Sequence, residues 1–273
     1  MCDYASVMVG LDLGRSVGGR VRLAAALAER FDARLIGIAA RQPTVALMGD
    51  APFAAASILE QERRLEAEEL ERLERLFWEA AGSHNRVALR TATDLPTPCF
   101  VAYARAADLL VVGRQGNGDD RDWNFGIDPG DAAMQAGRPI LVVPPDVSAL
   151  AAKRIVVVWR DTREARRAVW DALPFLKAAE AVSIGTVRGE AARSNVLDVE
   201  DYLRQHGVAA TVTFEGELRE ATVADEIIAL ADRDGADLIV AGAYGHSRTP
   251  EWAFGGVTRE LLNHAPVACL PAH

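Results

Sequence analysis

Short runs of apolar, often β-branched residues recur along the chain and alternate with amphipathic segments. Continuous runs of this kind, bounded by turn residues, are typical of strands buried on both faces of a parallel sheet. They predict five strands in each half of the chain: 6–12, 34–40, 86–92, 108–113 and 139–143, then 154–159, 181–187, 208–214, 237–242 and 266–270. Apolar positions at three- and four-residue spacing predict helices over 18–31, 163–178 and 222–234. The alternation predicts doubly wound α/β sheets.

The second half of the chain repeats the first. Segment 108–116 aligns with 237–245, and the same offset of 129 residues pairs Gly126 with Gly255. The first strands align at a larger offset, 148, so the first half carries additional residues before its glycine segment. Each half ends with an apolar strand that a proline is expected to close, Pro144 and Pro271. Such self-similarity indicates tandem domains, which we predict over 1–148 and 152–273.

The additional residues of the first half lie within 41–83. Over 58–78, charges of both signs interleave with leucines at helical spacing, which predicts a long amphipathic helix with i,i+4 ion pairs. A crossover helix with a solvated face and a helix that binds a partner or a second copy are both open interpretations. Segment 41–57 contains Pro43, Gly49 and Pro52, which favours a loop. Whether that loop folds over a ligand cleft is open.

Composition excludes several classes of protein. Half of the 273 residues are apolar and a quarter are charged, as in a globular protein. A net charge of -9 has the wrong sign for broad binding to nucleic acid. No apolar run approaches the roughly 20 residues of a membrane span, and no signal segment is evident. The three cysteines, Cys2, Cys99 and Cys269, are far apart, which favours a reducing cytoplasm. Cys269 lies in an apolar run and is expected to be a small buried hydrophobe.

Most common catalytic signatures are absent: the sequence contains no GxxxxGK[ST], no HExxH and no GxSxG, and no GxGxxG directly after a strand. What remains is Gly242-x-x-Gly245, nine residues, and then Gly255-Gly256 leading into the last helix. Glycines allow the backbone after a strand to approach a ligand closely. The N-terminus of a helix offers free N–H groups and a favourable dipole to phosphate. The pattern therefore suggests a phosphate site in the second half.

This glycine pattern, with the strand and helix alternation around it, resembles the universal stress protein family. The resemblance covers nearly the whole chain as two tandem copies. It implies two Rossmann-like, adenine nucleotide hydrolase-like domains and a role in the stress response. The family contains members that bind ATP and members that do not.

In the ATP-binding members, Gly-2x-Gly-9x-Gly-Ser/Thr meets the phosphates and ribose, and an Asp after the first strand lies near the nucleoside. By resemblance, Gly242, Gly245 and Gly255 carry over to this chain. Gly256 replaces the hydroxyl residue, for which Thr258 or Ser247 would substitute. Arg160 takes the place of the Asp, with Asp161 next to it. The full candidate nucleotide site is Asp161, Gly242, Gly245, His246, Ser247, Arg248, Gly255, Gly256, Val257 and Thr258.

Simpler interpretations of these residues stay open. Gly113 and Gly242 would also suit tight turns, and His246 and Arg248 would also suit an exposed loop. Trp123 and Trp252 would pack a loop rather than stack on a base. The remaining histidines have no metal-ligand spacing, so no metal site is proposed.

The first half matches the family pattern less well. Gly113, Gly116 and Gly126 keep the glycine spacing, and Asp12 keeps the acid, so these four residues are weaker candidates. Ile127 stands where the Ser/Thr is expected. The loop 117–122 carries three aspartates and one arginine, and Asp128-Pro129 is expected to cap the next helix with a carboxylate. The first half is therefore expected to be the poorer ATP site.

The leading hypothesis is a cytoplasmic tandem universal stress protein that binds ATP, with Mg²⁺, in its second domain. Rapid hydrolysis is not expected, because no general base or P-loop lysine is evident. Relatives associate through the last strand of each domain, which implies an internal pseudo-dimer through 139–143 and 266–270; a further homodimer is open. One alternative is a nucleotide-free interaction or small-ligand sensor protein. Another is an adenylating or hydrolytic enzyme on the same fold.

Overall fold

A computed structural model describes residues 3–43, 52–82, 85–114, 124–187, 190–215, 222–243 and 256–273. In the first half, strands and helices alternate in the order β1 (Ser6–Gly10), α1 (Val17–Arg30), β2 (Arg34–Arg41), α2 (Pro52–Ala81), β3 (Val87–Thr93), α3 (Pro96–Tyr103), β4 (Leu109–Gly113), α4 (Pro129–Gln135) and β5 (Ile140–Val143). A short 3-10 turn, Ala104–Ala106, follows α3.

The second half has the same alternation. Its elements are β6 (Arg154–Trp159), α5 (Arg163–Ala178), β7 (Ala181–Val187), α6 (Glu190–Gln205), β8 (Ala210–Glu215), α7 (Val223–Arg233), β9 (Leu238–Gly242), α8 (Gly256–His264) and β10 (Ala268–Ala272). The predicted strands are all present, with ends within two residues of the expected positions. The predicted helices correspond to α1, α5 and α7.

All ten strands form one sheet, in the order β3-β2-β1-β4-β5-β10-β9-β6-β7-β8. The strands of each half are parallel to one another. The two halves join where β5 and β10 pair antiparallel, with Cys269 opposite Val142. The predicted association of the two last strands is therefore confirmed. Cys269 is buried, as expected, and burial raises the pKa of its thiol to about 12.

Alternate residues of each strand point to opposite faces of the sheet, and each face is covered by helices. Val7 and Val9 belong to a hydrophobic cluster with side chains of α1, α2, α5 and α6. Met8 lies in the other cluster, with side chains of α3, α4, α7 and α8. Burial on both faces explains why the inner strands are continuous apolar runs, whereas the edge strands β3 and β8 are more polar.

The two halves also meet on the face covered by α1 and α5. Tyr4 and Phe31 pack against Phe175 of α5, with ring centroids 5.0 to 5.5 Å apart. The Tyr4 hydroxyl donates to the backbone carbonyl of Asp171 at 2.5 Å. These aromatic contacts stabilise the association of the two halves in addition to the pairing of β5 with β10.

Two expectations need correction. Helix α2 begins at Pro52, so the last part of the predicted loop 41–57 is helical; proline suits the first position of a helix because no helical bond needs its missing N–H. Residues 44–51 lie outside the described ranges. The predicted helix 58–78 lies within α2. Pro271 does not close the last strand: β10 continues to Ala272, with Pro271 opposite Ala241.

Candidate functional site

Each half of the sheet has a switch point, where the strand order reverses between β1 and β4 or between β6 and β9. In open α/β sheets, ligands bind in the crevice beyond the carboxyl ends of such strands. Asp12 follows β1 and Gly113 ends β4, while Asp161 follows β6 and Gly242 ends β9. The fold therefore brings the predicted acid and the first glycine of each half to the same crevice.

The crevice of the first domain holds a buried arginine. Arg20 of α1 is 3% exposed. Its Nη2 donates to Asp12 Oδ2 at 2.5 Å, and its Nε donates to the Gly10 carbonyl at 3.2 Å. The other carboxylate oxygen of Asp12 accepts the Gly14 N–H at 2.9 Å. A Cβ on Gly113 would lie 2.1 Å from Arg20 Nη1. Arg20 thus occupies the space between Asp12 and Gly113.

Residues before α4 fill the rest of this crevice. The Cδ1 atom of Ile127 lies 2.2 Å from where a Cβ on Gly10 would be, so Ile127 covers the end of β1. Gly126 lies between two buried side chains, Phe125 and Ile127. Asp128 caps α4, as expected, with its Oδ1 accepting the Asp131 N–H at 2.9 Å. The position that faces phosphate in the family pattern is taken by an aliphatic side chain and a carboxylate.

Gly242 of the second domain meets backbone instead of a side chain. A Cβ there would lie 2.5 Å from the Ala165 nitrogen, in the first turn of α5. Positive φ occurs at Gly82, Gly137, Gly207 and Gly235 among the described glycines, and not at Gly242 or Gly113. Close approach of β9 to the start of α5, rather than a tight-turn conformation, is the structural reason for glycine at position 242.

The acid of the second crevice is more open than Asp12. Asp161 Oδ1 accepts from Arg166 Nη2 at 2.5 Å, and the two side chains are 46% and 61% exposed. Asn195 Nδ2 lies 3.5 Å from the other oxygen. Thr162 caps α5 by accepting the Ala165 N–H at 3.3 Å. Asp161 therefore follows β6 at the mouth of the crevice, beside an arginine that solvent reaches.

The last helix of the second domain begins at an open position. A Cβ on Gly256 would have no atom within 4 Å among the described residues. Val257 is half-buried against the second hydrophobic cluster, and Thr258 is buried. In the alignment of the two halves, Gly256 corresponds to Ile127. The Ile127 side chain closes the crevice of the first domain, whereas the second domain has no side chain at this position.

The contacts of an arginine and a histidine near the end of β9 escaped sequence analysis. His273 Nδ1 lies 3.4 Å from the Ala243 carbonyl, and Arg163 Nη2 lies 3.5 Å from His273 Nε2. Arg163 Nε also donates to Glu164 at 2.5 Å. Burial would raise the pKa of Glu164, but hydrogen bonds from Arg163, its own N–H and Thr162 hold that pKa below its usual value. Contacts between residues 110 positions apart leave no sequence signal.

Several predicted site residues lie outside the described ranges: Gly116, Gly245, His246, Ser247, Arg248 and Gly255, together with the acidic loop 117–122, Trp123 and Trp252. Across the parts of the chain that are described, no three His, Cys, Asp or Glu side chains are grouped as metal ligands would be. Within the same ranges, no helix has the length and apolar character needed to cross a bilayer.

The fold and its two crevices define a tandem doubly wound α/β protein. The model of the universal stress protein family matches residues 3–144 and again 151–271. The chain belongs to the universal stress protein family.

Solved structures show the same fold over the full length. A universal stress protein from Archaeoglobus fulgidus is 16% identical, with 98% of this chain and 96% of that chain covered and a TM-score of 0.69. A functionally unknown protein from Pseudomonas aeruginosa is 14% identical, with coverage of 98% and 92% and a TM-score of 0.57. A putative universal stress protein from the same species is also 14% identical, with coverage of 98% and 93% and a TM-score of 0.56. No curated protein sequence matches the chain significantly.

Proposed function

We propose that this chain is a stress-response protein of the cytoplasm whose second domain binds ATP or a related adenine nucleotide without rapid turnover. Membership of the universal stress protein family supports the stress role. The nucleotide proposal rests on the glycine pattern around β9 and α8, with Mg²⁺ accompanying the phosphates. The first domain is proposed to bind no nucleotide.

The contrast between Ile127 and Gly256 carries this proposal. Ile127 packs over the end of β1 and Asp128 caps α4, so the first domain presents apolar and negative groups where phosphate would lie. At Gly256, the first residue of α8, a Cβ would meet no atom of the described residues within 4 Å. The N-terminus of a helix favours an anion through its free N–H groups and its dipole.

Nearby charges support the same assignment. Arg163 begins α5, which contacts Gly242, and its guanidinium is 75% exposed. Asp161 is half-exposed beside Arg166 and is the proposed partner of the nucleoside. Glu164 is the opposing charge, but Arg163 neutralises it. A phosphate chain would thus meet a cation on one side and the start of α8 on the other.

Slow turnover is part of the proposal. The sequence has no P-loop lysine motif. We also propose no residue as a general base that would activate water for attack on the phosphate. We therefore propose that the protein senses the concentration of the nucleotide without consuming it, and that other proteins recognise the nucleotide-bound form.

Mg-ATP should stabilise the protein without being consumed. At a hundred times its Kd, a ligand that binds only the native state raises the free energy of unfolding by about 2.7 kcal/mol. Urea unfolding with and without Mg-ATP measures this change, and a phosphate-release assay accompanies it. Turnover of several per second would contradict the binding role, and an unchanged unfolding midpoint at millimolar Mg-ATP would contradict nucleotide binding.

A nucleotide-free interaction protein is the second candidate. Gly256 supplies no hydroxyl where nucleotide-binding relatives have Ser/Thr. Helix α2 also exposes apolar side chains, with Leu65 42% and Trp78 46% exposed. An unchanged unfolding midpoint would favour this candidate and would direct attention to partners of α2.

A further inference from the structure

A cleft of about 690 Å³ lies between α5 and α6 of the second domain. Its lining includes Trp159 at the end of β6, Val169 and Trp170 of α5, and Val199 and Tyr202 of α6. Small-molecule sites are concave, largely apolar and about 300–1,000 Å³ in volume. The cleft shares Asp161 and Arg163 with the proposed nucleotide site, and most of its other residues lie on α5 and α6.

Trp159 carries a hydrogen-bond donor without an acceptor. The residue is 6% exposed, and its Nε1 has no partner among the described residues. A buried donor without an acceptor is unfavourable, and most buried polar atoms in native structures are paired. An acceptor on a bound molecule in this cleft would satisfy the indole N–H.

The far end of the cleft is aromatic. Trp170 is 48% exposed and Tyr202 is 37% exposed. Both contact His206, with ring centroids 6.2 Å and 4.6 Å from it, so the three rings bridge α5 and α6. Exposed aromatic side chains that are held in place offer stacking surface to a planar ligand.

Arginines supply the polar part of the lining. Arg163, Arg166 and Arg167 line the cleft together with Asp161 and Asp198. Arg166 pairs with Asp161, and Arg167 Nε pairs with Asp171 at 2.8 Å. A guanidinium has five N–H donors, so these pairs leave donors for a further anionic group.

The first domain differs at the compared positions of its described residues. In the alignment of the first strands of the two halves, the residue that corresponds to Trp159 is Leu11, which is aliphatic and buried. Helix α1 packs directly against α2, whose Leu73 and Phe77 are fully buried in the same cluster. The Trp159 donor and the aromatic lining of the cleft therefore belong to the second domain.

We propose that the α5–α6 cleft binds a small planar aromatic carboxylate. The ring lies among Trp170, Tyr202, Val169 and Val199, and a carboxylate oxygen accepts the Trp159 Nε1 hydrogen bond. The arginines on α5 favour the anionic form. The ring site between α5 and α6 is distinct from the proposed phosphate site at the glycine segment, although Asp161 and Arg163 border both.

The test uses 2-naphthoate as the probe and the five tryptophan indole N–H resonances of the ¹⁵N-labelled protein as the readout. The Trp159 resonance is the one lost in Trp159→Phe, and Trp170 is assigned likewise from Trp170→Ala. Both resonances should move saturably, that of Trp159 downfield because its proton gains an acceptor. Trp159→Phe and Trp170→Ala should each weaken the Kd about tenfold.

Trp78→Ala is the matched control, because Trp78 of α2 is as exposed as Trp170 but lies in the first domain. It should leave the Kd unchanged. Gly256→Asp, which targets the nucleotide site, should also leave it unchanged. The proposal is wrong if the Trp159 and Trp170 resonances do not shift at about 10 mM probe, because the Kd would then be too high for a specific site. It is also wrong if Trp78→Ala weakens binding as much as Trp170→Ala.

Discussion

Replacing Asp12 with alanine should destabilise the protein by about 3 kcal/mol, because it leaves a buried arginine without its counter-charge. The Arg20 side chain is 4% exposed and donates to Asp12. The same change removes the acceptor of the Gly14 N–H. Arg20 cannot easily move outward, since it also bonds to the Gly10 carbonyl and packs beside Gly113. Urea unfolding followed by fluorescence measures the loss.

The second domain supplies the control. Asp161→Ala also removes the partner of a helix arginine, but Arg166 is 61% exposed and water solvates it. The expected loss is at most about 1 kcal/mol. In the double variant Asp12→Ala, Arg20→Met, much of the loss should be recovered, because no charge remains buried. Equal losses from the two alanine variants would contradict the assignment of Arg20 as a buried structural cation.

Replacing Gly242 with alanine should destabilise the second domain by about 2–3 kcal/mol. The added Cβ would lie 2.5 Å from the Ala165 nitrogen and 2.9 Å from the carbonyl carbon of Glu164. These are backbone atoms of the first turn of α5, so relief requires β9 or the helix to shift. Urea unfolding measures the change.

Gly256→Ala is the matched control for this prediction. The methyl group enters open space, and alanine favours a helix over glycine by up to about 1 kcal/mol. Stability should therefore be unchanged or slightly higher. If Gly242→Ala were tolerated as well as Gly256→Ala, the close contact between β9 and α5 would not be what requires glycine.

The inner strands were predictable because they are buried on both faces of the sheet. Burial of this kind demands a continuous apolar run, and runs such as Leu109–Gly113 and Ile155–Trp159 have no other simple interpretation. The pairing of β5 with β10 followed from the resemblance to the family, since nothing in the apolar pattern says which edge strands meet.

Helices with weaker patterns were harder to predict. Helix α3 is apolar on most of its surface, so helical periodicity is not visible in Pro96–Tyr103. The start of α2 was obscured by Pro52, which breaks a helix in its interior but suits its first position. Pro271 gave a false end to β10, because proline is tolerated where no ladder bond is required of its nitrogen.

The sequence pattern identified candidate glycines, but it did not reveal which charged side chains lie beside them. Arg20 has the sequence appearance of a solvated helix residue, and only its position behind Gly113 shows that it is buried. Arg163 and His273 meet because α5 begins at the edge of the sheet where β10 ends. Gly242 approaches the backbone of α5 closely, which the spacing of the glycines does not reveal; its role in nucleotide binding stays a prediction.

Calorimetric titration of Mg-ATP into the nucleotide-free protein tests the central claim most directly. One site per chain with a micromolar Kd is expected. Gly256→Asp should weaken binding at least about tenfold, because a carboxylate at the first turn of α8 repels phosphate while suiting the helix dipole. Gly256→Ala should retain binding. No heat at millimolar Mg-ATP, or two equal sites per chain, would contradict a nucleotide site confined to the second domain.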